Sequence, residues 1–73
     1  MDITIRDEFI RLGQALKLAG LVGSGVEAKI VIADGLVSVN GEADTRRGRK
    51  LREGDVVSYN GESFTVHSSQ LTE

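Results

Sequence analysis

The sequence has no cysteine and a single histidine, His67. Without thiols the chain can build neither a disulfide framework nor a thiolate nucleophile, and one imidazole does not suffice for a zinc or copper site. The lack of cysteine is also compatible with a reducing compartment. We therefore predict a non-enzymatic protein with no catalytic residue, no metal, no cofactor and no small-molecule substrate.

Proline, tryptophan and long apolar segments are missing as well. No run approaches the roughly 20 apolar residues that cross a bilayer, and Met1–Ile5 lacks the basic and apolar regions of a signal peptide. The expectation is a cytoplasmic protein without membrane contact. With 73 residues and no low-complexity linker, the chain is expected to form one domain over residues 1–73.

Charge is unevenly distributed along the chain, although the formal total is only −2. Residues 11–52 carry eight Lys or Arg and four Asp or Glu, whereas the flanking residues balance to −6. Five of these cations fall in the segment Arg46–Arg52, which we call the basic loop. Like charges repel one another, so such a cluster in an acidic protein indicates an anionic partner, with nucleic acid as the first candidate. The alternative is a solvated loop without a partner.

Two short helices are predicted from the spacing of apolar residues. Leucine and alanine recur at helical intervals over Arg11–Ala19, and Gly20 follows as a terminator. A second helix is predicted over residues 25–33, because Ser24 and Glu27 have the spacing of a capping box.

Alternation of apolar and polar residues predicts strands in most of the remaining chain. These strands are expected over Ile3–Arg6, Val37–Val39, Asp55–Tyr59 and Ser63–His67, with a further pairing that begins at Leu51. Asn40–Gly41 and Asn60–Gly61 suit type I′ turns, in which both central residues need positive φ. We predict an α+β fold in which two short helices pack against a small curled, mostly antiparallel sheet.

Three parts of this fold are candidates for contact with an anion. The basic loop supplies guanidinium groups whose planar fork matches phosphate oxygens. The first helix presents Gln14 and Lys17, with Arg11 at the flank and Lys29 on the second helix, although an ordinary polar helix face is the alternative. The start of the second helix, Gly23–Gly25, offers backbone N–H groups, and there plain capping is the favoured alternative.

Three aromatic residues are too few for a platform on which single-stranded bases stack. Phe9 and Phe64 are therefore expected to pack in the core. His67 lacks a nearby nucleophile, so a structural or exposed role is expected for it. Turn and capping roles are expected for the acids Asp34, Glu42 and Asp44.

The order of these residues resembles the S-four RNA-binding domain, which is named after ribosomal small-subunit protein four. The likeness covers about Phe9 to Val57, and its anchors are Val39–Gly41 and Gly54–Asp55 at their mutual separation. A closer resemblance is to the stand-alone bacterial YbcJ/YaaA-like proteins. That resemblance is carried by Leu12–Lys17, Ser24–Lys29, Val39–Glu42 and Thr45–Arg52.

The resemblance implies an αL RNA-binding motif, with RNA along the helices and the hairpin loop. Its core would span about residues 9–57. Carried over residue by residue, the RNA-facing positions would be Arg11, Gln14, Lys17, Ser24, Gly25, Lys29, Asn40, Arg46, Arg47, Arg49 and Lys50. One departure stands out, since many members of the wider family have a basic residue where this chain has Gly25.

Together these patterns predict a small, ribosome-associated bacterial protein that binds structured RNA, such as rRNA or tRNA. Folded RNA is expected because contacts to shape and to 2′-hydroxyl groups need no aromatic platform. A protein–protein adaptor is the first alternative, because the second helix is apolar nearly all round and either the sheet or a partner must cover Val26 and Ile30. An enzyme is the second alternative, but no converging titratable groups can be assembled.

Overall fold

The computed structural model describes residues 1–69, and over this range the chain forms seven strands and two helices. In chain order they are β1 (Asp2–Ile5), β2 (Ile10–Arg11), α1 (Leu12–Leu18), α2 (Gly25–Ala33), β3 (Val37–Val39), β4 (Glu42–Ala43), β5 (Lys50–Leu51), β6 (Val56–Tyr59) and β7 (Glu62–Ser68). The α+β fold with two short helices is confirmed.

The main sheet has five strands in the order β1-β7-β6-β3-β4. Its pairs are antiparallel except at one edge, where β1 lies parallel to β7 with Ile3 opposite Val66. A separate antiparallel ribbon joins β2 to β5 and places Arg11 opposite Lys50. The sheet is therefore mixed but mostly antiparallel, as predicted, and the parallel edge is an addition to the prediction.

Both predicted hairpin turns adopt the expected backbone. Asn40 and Gly41 have φ values of 54° and 87°, and Asn60 and Gly61 have φ values of 55° and 81°. Asparagine tolerates this left-handed region better than most residues with a side chain. The turns thereby fix the register of β3 with β4 and of β6 with β7.

One hydrophobic cluster joins both helices to the sheet. Its largest fully buried side chains are Phe64, Leu12, Leu16, Ile32, Leu51, Val37, Val39, Val57 and Val66. Phe64 thus confirms its predicted core position. The same prediction for Phe9 is wrong, because Phe9 is only half-buried and its ring faces cations, as described below.

The second helix begins and ends at the predicted residues, and Ser24 is its N-cap. The Ser24 Oγ accepts a hydrogen bond from the Glu27 N–H at 3.1 Å. The Glu27 carboxylate, however, accepts from the N–H of Gly23 at 2.8 Å, one residue before the position that a standard capping box uses. The predicted cap is therefore present in a variant form.

Two large apolar side chains of α2 are exposed beside its charged residues. Ala28, Val31 and Ile32 are buried, while Val26 and Ile30 are 69% and 55% exposed. The sheet therefore does not cover Val26 and Ile30. Of the two alternatives for covering them, the sheet or a partner protein, the partner protein is the one left open.

No helix in the described part of the chain is both long and apolar enough to span a membrane. Within residues 1–69, no three His, Cys, Asp or Glu side chains come together in a way that could hold a metal ion.

Candidate nucleic-acid interface

The basic loop is anchored to the start of α1 by backbone hydrogen bonds. The N–H of Leu12 donates to the carbonyl oxygen of Arg49 at 2.8 Å, and the N–H of Gly13 donates to the carbonyl oxygen of Arg47 at 3.1 Å. The first N–H groups of a helix have no partner within the helix, so the loop satisfies donors that would otherwise need a cap or water. The position of the loop is therefore fixed relative to α1.

Gly13 makes this close approach possible. A β-carbon at position 13 would lie 2.8 Å from Cγ of Arg47, which is shorter than a carbon–carbon contact allows. The side chain of Arg47 thus runs directly over the backbone of α1. Gly13 is buried, and its role is to leave room for the Arg47 stem.

A buried carboxylate braces two other arginines of the loop. Asp44 accepts hydrogen bonds from the N–H and Nε of Arg46 at 2.9 and 3.0 Å, from Nη2 of Arg46 at 2.8 Å and from Nη1 of Arg49 at 2.8 Å. The bonds from Arg46, and then that from Arg49, hold the pKa of Asp44 well below its ordinary value of 3.8. Asp44 is therefore an ionised anchor at neutral pH.

This arrangement goes beyond the turn role predicted for Asp44. The bond from the Arg46 N–H does form a local turn, but the two ion pairs were missed. The available signal was an aspartate two residues before Arg46 and five before Arg49. The side chain of Arg49 is only 29% exposed, whereas that of Arg46 is 71% exposed. Arg49 therefore belongs mainly to the framework of the loop, and Arg46 remains accessible.

A cleft of about 420 Å³ lies between α1, the start of α2 and the basic loop. Its lining residues are Arg11, Gly13, Gln14, Lys17, Gly25, Ala28, Arg47 and Gly48. The cleft thus brings together five of the positions that the sequence selected, three of them cationic. None of its lining residues is acidic. We call it the basic cleft, and its composition is that expected of a site for a polyanion.

Phe9 lies at the centre of a second group of cations. Nζ of Lys50 is 4.8 Å from the centre of the Phe9 ring, and Cζ of Arg52 and Cζ of Arg11 are 5.6 and 5.8 Å away. These are distances of cation–π contacts. Sequence reasoning missed this role of Phe9, since Lys50 and Arg52 are far from Phe9 in the sequence. The only local signal was the spacing of Phe9 and Arg11.

The remaining sequence-selected positions lie outside the lining of the basic cleft. The Ser24 hydroxyl caps α2, and Lys29 is exposed on that helix. Asn40 uses both atoms of its amide within the protein: Nδ2 donates to Asp55 Oδ1 at 3.0 Å, and Oδ1 accepts from the Val56 N–H at 2.9 Å. RNA contact by these residues stays a prediction, and the structure gives Asn40 a role in bracing the hairpin.

These features define a small α+β module in which two helices and an anchored basic loop form one positively charged surface. The sequence model of the S4 domain matches residues 3–67. The chain belongs to the S4 domain family.

Relatives with known structures or names agree with this assignment. RlbA of Bacillus subtilis, whose name assigns it to ribosome maturation, is 52% identical over 59 residues, which cover 81% of this chain and 83% of RlbA. YbcJ of Escherichia coli, whose name assigns it to RNA binding, is 44% identical over 57 residues, which cover 78% of this chain and 81% of YbcJ.

Two solved structures have a similar fold. The solution structure of Escherichia coli YbcJ, described as containing an αL motif involved in RNA binding, superposes with a TM-score of 0.72 and 37% identity over 92% of this chain and 86% of that one. The crystal structure of ribosomal protein S4e from Thermoplasma acidophilum has a TM-score of 0.63 and 28% identity, covering 82% of this chain and 32% of that protein.

Proposed function

We propose that this protein binds structured RNA through the basic cleft and acts without catalysing a reaction. The observation that carries the proposal is the convergence of Arg11, Lys17 and Arg47 on one cleft that has no acidic lining residue. Membership of the S4 domain family and the αL motif of YbcJ support it.

The chemistry of the cleft suits a sugar–phosphate backbone. Arg47 and Lys17 can neutralise phosphates, and each such contact releases counterions, which drives binding and makes it depend on salt. Gln14 has an amide that both donates and accepts, so it can contact ribose or a base edge. Gly25 leaves the start of α2 without a side chain, and apart from its chain neighbours and the adjacent helix backbone no atom lies within 4 Å of the place where its β-carbon would be. An RNA backbone could therefore approach α2 closely.

Folded RNA is the preferred ligand in this proposal. Phe9 is covered by cations and Phe64 is buried, so no aromatic platform of the kind used for single strands is formed by them. Contacts to shape, phosphates and 2′-hydroxyl groups remain, and these favour helical and folded RNA. The name of RlbA refers to ribosome maturation, which makes ribosomal RNA in the cytoplasm the first target to test and tRNA the second.

The test is crosslinking of the protein to RNA in cells, followed by purification and sequencing of the attached RNA. The variant Lys17→Gln/Arg47→Gln removes two cleft cations that make no ion pair in residues 1–69. Arg6→Gln is a control that removes an exposed cation from outside the cleft. Enrichment of ribosomal RNA with the wild type and Arg6→Gln, and its loss with the double variant, is expected. Equal recovery with all three proteins would contradict the proposal.

A protein–protein adaptor is the second candidate, and the exposed face of α2 favours it. Val26 and Ile30 are one helical turn apart and are 69% and 55% exposed, so they form one continuous apolar patch. The variant Val26→Ser/Ile30→Ser should abolish co-purification of a protein partner while leaving RNA crosslinking unchanged. If this variant loses RNA crosslinking and still co-purifies with the same proteins as the wild type, the adaptor function is excluded.

A further inference from the structure

The cations around Phe9 form a second patch, and most of its residues do not line the basic cleft. Phe9, Arg11, Lys50 and Arg52 make up this patch, which we call the Phe9 cluster. Only Arg11 belongs to both, because it also lines the cleft and donates from Nη1 to the Gly48 carbonyl oxygen at 3.3 Å. The two surfaces are therefore continuous through Arg11.

The Phe9 cluster contains one pair of like charges that is unfavourable for stability. Arg11 and Lys50 are directly opposite each other in the β2–β5 ribbon, and like charges at such positions destabilise a strand pair. Arg52 adds a third cation; its Nη1 lies 3.5 Å from Oε1 of Glu8, and its backbone N–H donates to Oδ2 of Asp55 at 2.8 Å. Within residues 1–69, Glu8 is the one carboxylate that forms an ion pair with the side chains of these three cations, so two of the three side chains have no ion-pair partner there.

The ring of Phe9 holds these cations in place. Its quadrupole attracts each of them, which limits the conformations of long side chains that would otherwise move freely. Long side chains lose entropy when a ligand fixes them, so cations that are already ordered bind an anion at lower cost. The half-buried position of Phe9 keeps one part of the ring in the protein and leaves the cations near the surface.

The geometry points to the Phe9 cluster as a second phosphate-binding site, in which Phe9 is a positioning residue and Arg52 is an additional RNA contact. This inference rests on the proposed function, and it extends that function to a bipartite contact. One segment of RNA backbone occupies the basic cleft, and a second segment meets the Phe9 cluster on the other side of Arg11. An RNA that offers two backbone segments at once, such as a folded or double-stranded RNA, satisfies both.

The ion pair of Arg52 with Glu8 can be broken from either side, and the two variants should change RNA affinity in opposite directions. Arg52→Gln and Glu8→Gln each break the same pair, so any effect on folding has the same direction. Binding to deproteinised ribosomal RNA should respond oppositely: Arg52→Gln should weaken it and lower the salt slope by about 0.7–0.9, while Glu8→Gln should tighten it by roughly twofold to fivefold. Glu62→Gln, a change of equal charge on β7, should leave affinity unchanged. Parallel effects of the first two variants would overturn the inference.

Phe9 is tested by removal and rescue of the aromatic ring. Phe9→Leu keeps an apolar side chain but loses the ring face, so affinity for ribosomal RNA should fall about threefold to tenfold. The salt slope should stay the same, because no charge is removed. Phe9→Tyr retains the ring and should restore wild-type affinity. If Phe9→Tyr binds as weakly as Phe9→Leu, or if Phe9→Leu binds normally, Phe9 does not position the cations.

Lys17→Gln/Arg47→Gln separates this inference from the proposed function. Loss of binding in that double variant, together with normal binding by all variants of the Phe9 cluster, would overturn only the second site. Failure of the wild type to bind ribosomal RNA more tightly than the unstructured polyanion poly(U) would overturn both. Thermal unfolding of each variant shows whether a loss of affinity comes from loss of fold.

Discussion

The N–H of Gly13 donates to the carbonyl oxygen of Arg47 at 3.1 Å, and a β-carbon at position 13 would lie 2.8 Å from Cγ of Arg47. This contact sets how closely the basic loop approaches α1. It also makes the position of the Arg47 side chain sensitive to a single added methyl group.

The variant Gly13→Ala should separate RNA affinity from stability. Alanine gains about 1 kcal/mol of helix propensity over glycine, and this gain offsets the strain of a β-carbon at 2.8 Å from Arg47 Cγ. The free energy of unfolding should therefore change by less than about 1 kcal/mol, while displacement of Arg47 lowers RNA affinity about threefold to tenfold. Denaturant unfolding and filter binding measure the two quantities.

Gly23→Ala is the matched control, since its β-carbon would meet Glu27 Oε1 at 3.6 Å, an ordinary contact. It should leave RNA affinity unchanged. If Gly13→Ala also binds RNA like the wild type, the Arg47 side chain does not need its present position.

Asp44→Asn should destabilise the protein in a pH-dependent way. The Asp44 pKa is lowered in the folded state by Arg46 and Arg49, so its ionised form contributes stability above the unfolded-state pKa of about 3.9 and loses it as the pH falls below that value. At pH 7 the variant should be less stable by about 1–3 kcal/mol, as for loss of hydrogen bonds to a charged group. Urea unfolding between pH 7 and pH 3 should show the two proteins converging. A constant difference across that range would contradict the ionised anchor.

Asn40→Ala and Asn60→Ala compare two turns whose asparagines have nearly identical φ angles. Both substitutions place alanine at a φ of about 55°, which costs about 1–2 kcal/mol. Asn40 additionally loses the bonds to Asp55 and to the Val56 N–H, at about 1 kcal/mol each. Asn40→Ala should therefore lower the free energy of unfolding by about 2 kcal/mol more than Asn60→Ala does, as measured by denaturant unfolding. Equal effects would show that the amide of Asn40 is not bracing the hairpin.

Ser24 can be tested with one variant that removes the cap and one that keeps it. Ser24→Ala removes the acceptor for the Glu27 N–H and should lower the free energy of unfolding by about 1 kcal/mol, with little effect on RNA binding. Ser24→Asp retains a good cap but adds a negative charge next to Gly25, which lines the basic cleft. It should fold normally and bind RNA more weakly. Calorimetry measures the stability of each variant, and filter binding measures its RNA affinity. If Ser24→Ala keeps its stability and binds RNA more weakly, Ser24 is an RNA contact and not a cap.

Local patterns in the sequence predicted the helices and hairpins well. The bounds of α2 follow from Ser24, which supplies a cap, and from the apolar residues after it. The turns at Asn40 and Asn60 follow from the needs of a left-handed backbone. Each of these signals lies within a few residues of the structure that it predicts, so no knowledge of the fold was required.

The sequence patterns did not predict interactions between residues that are far apart in the chain. Alternation predicted β1 as a strand but could not show that it pairs with β7, because pairing depends on the whole sheet. The small number of aromatic residues predicts a core position for Phe9, whereas the β2–β5 pairing brings Lys50 to its ring. The sequence predicts that all cations of the basic loop are equivalent. In the structure, Asp44 forms ion pairs with Arg46 and Arg49, which sets these two apart from the other cations of the loop. The family resemblance selected the cleft residues, but it could not show how each cation is held.

The parallel pairing of β1 with β7 has a consequence for the order in which the chain assembles during translation. Among the described elements β1 is made first, and its hydrogen-bonding partners in β7 are made last. Ile3 and Ile5, which are buried in the finished protein, therefore stay without their strand neighbours until β7 emerges. Addition of β1 to the sheet edge therefore depends on β7, whereas α1 and α2, which pack against each other, are both made before it.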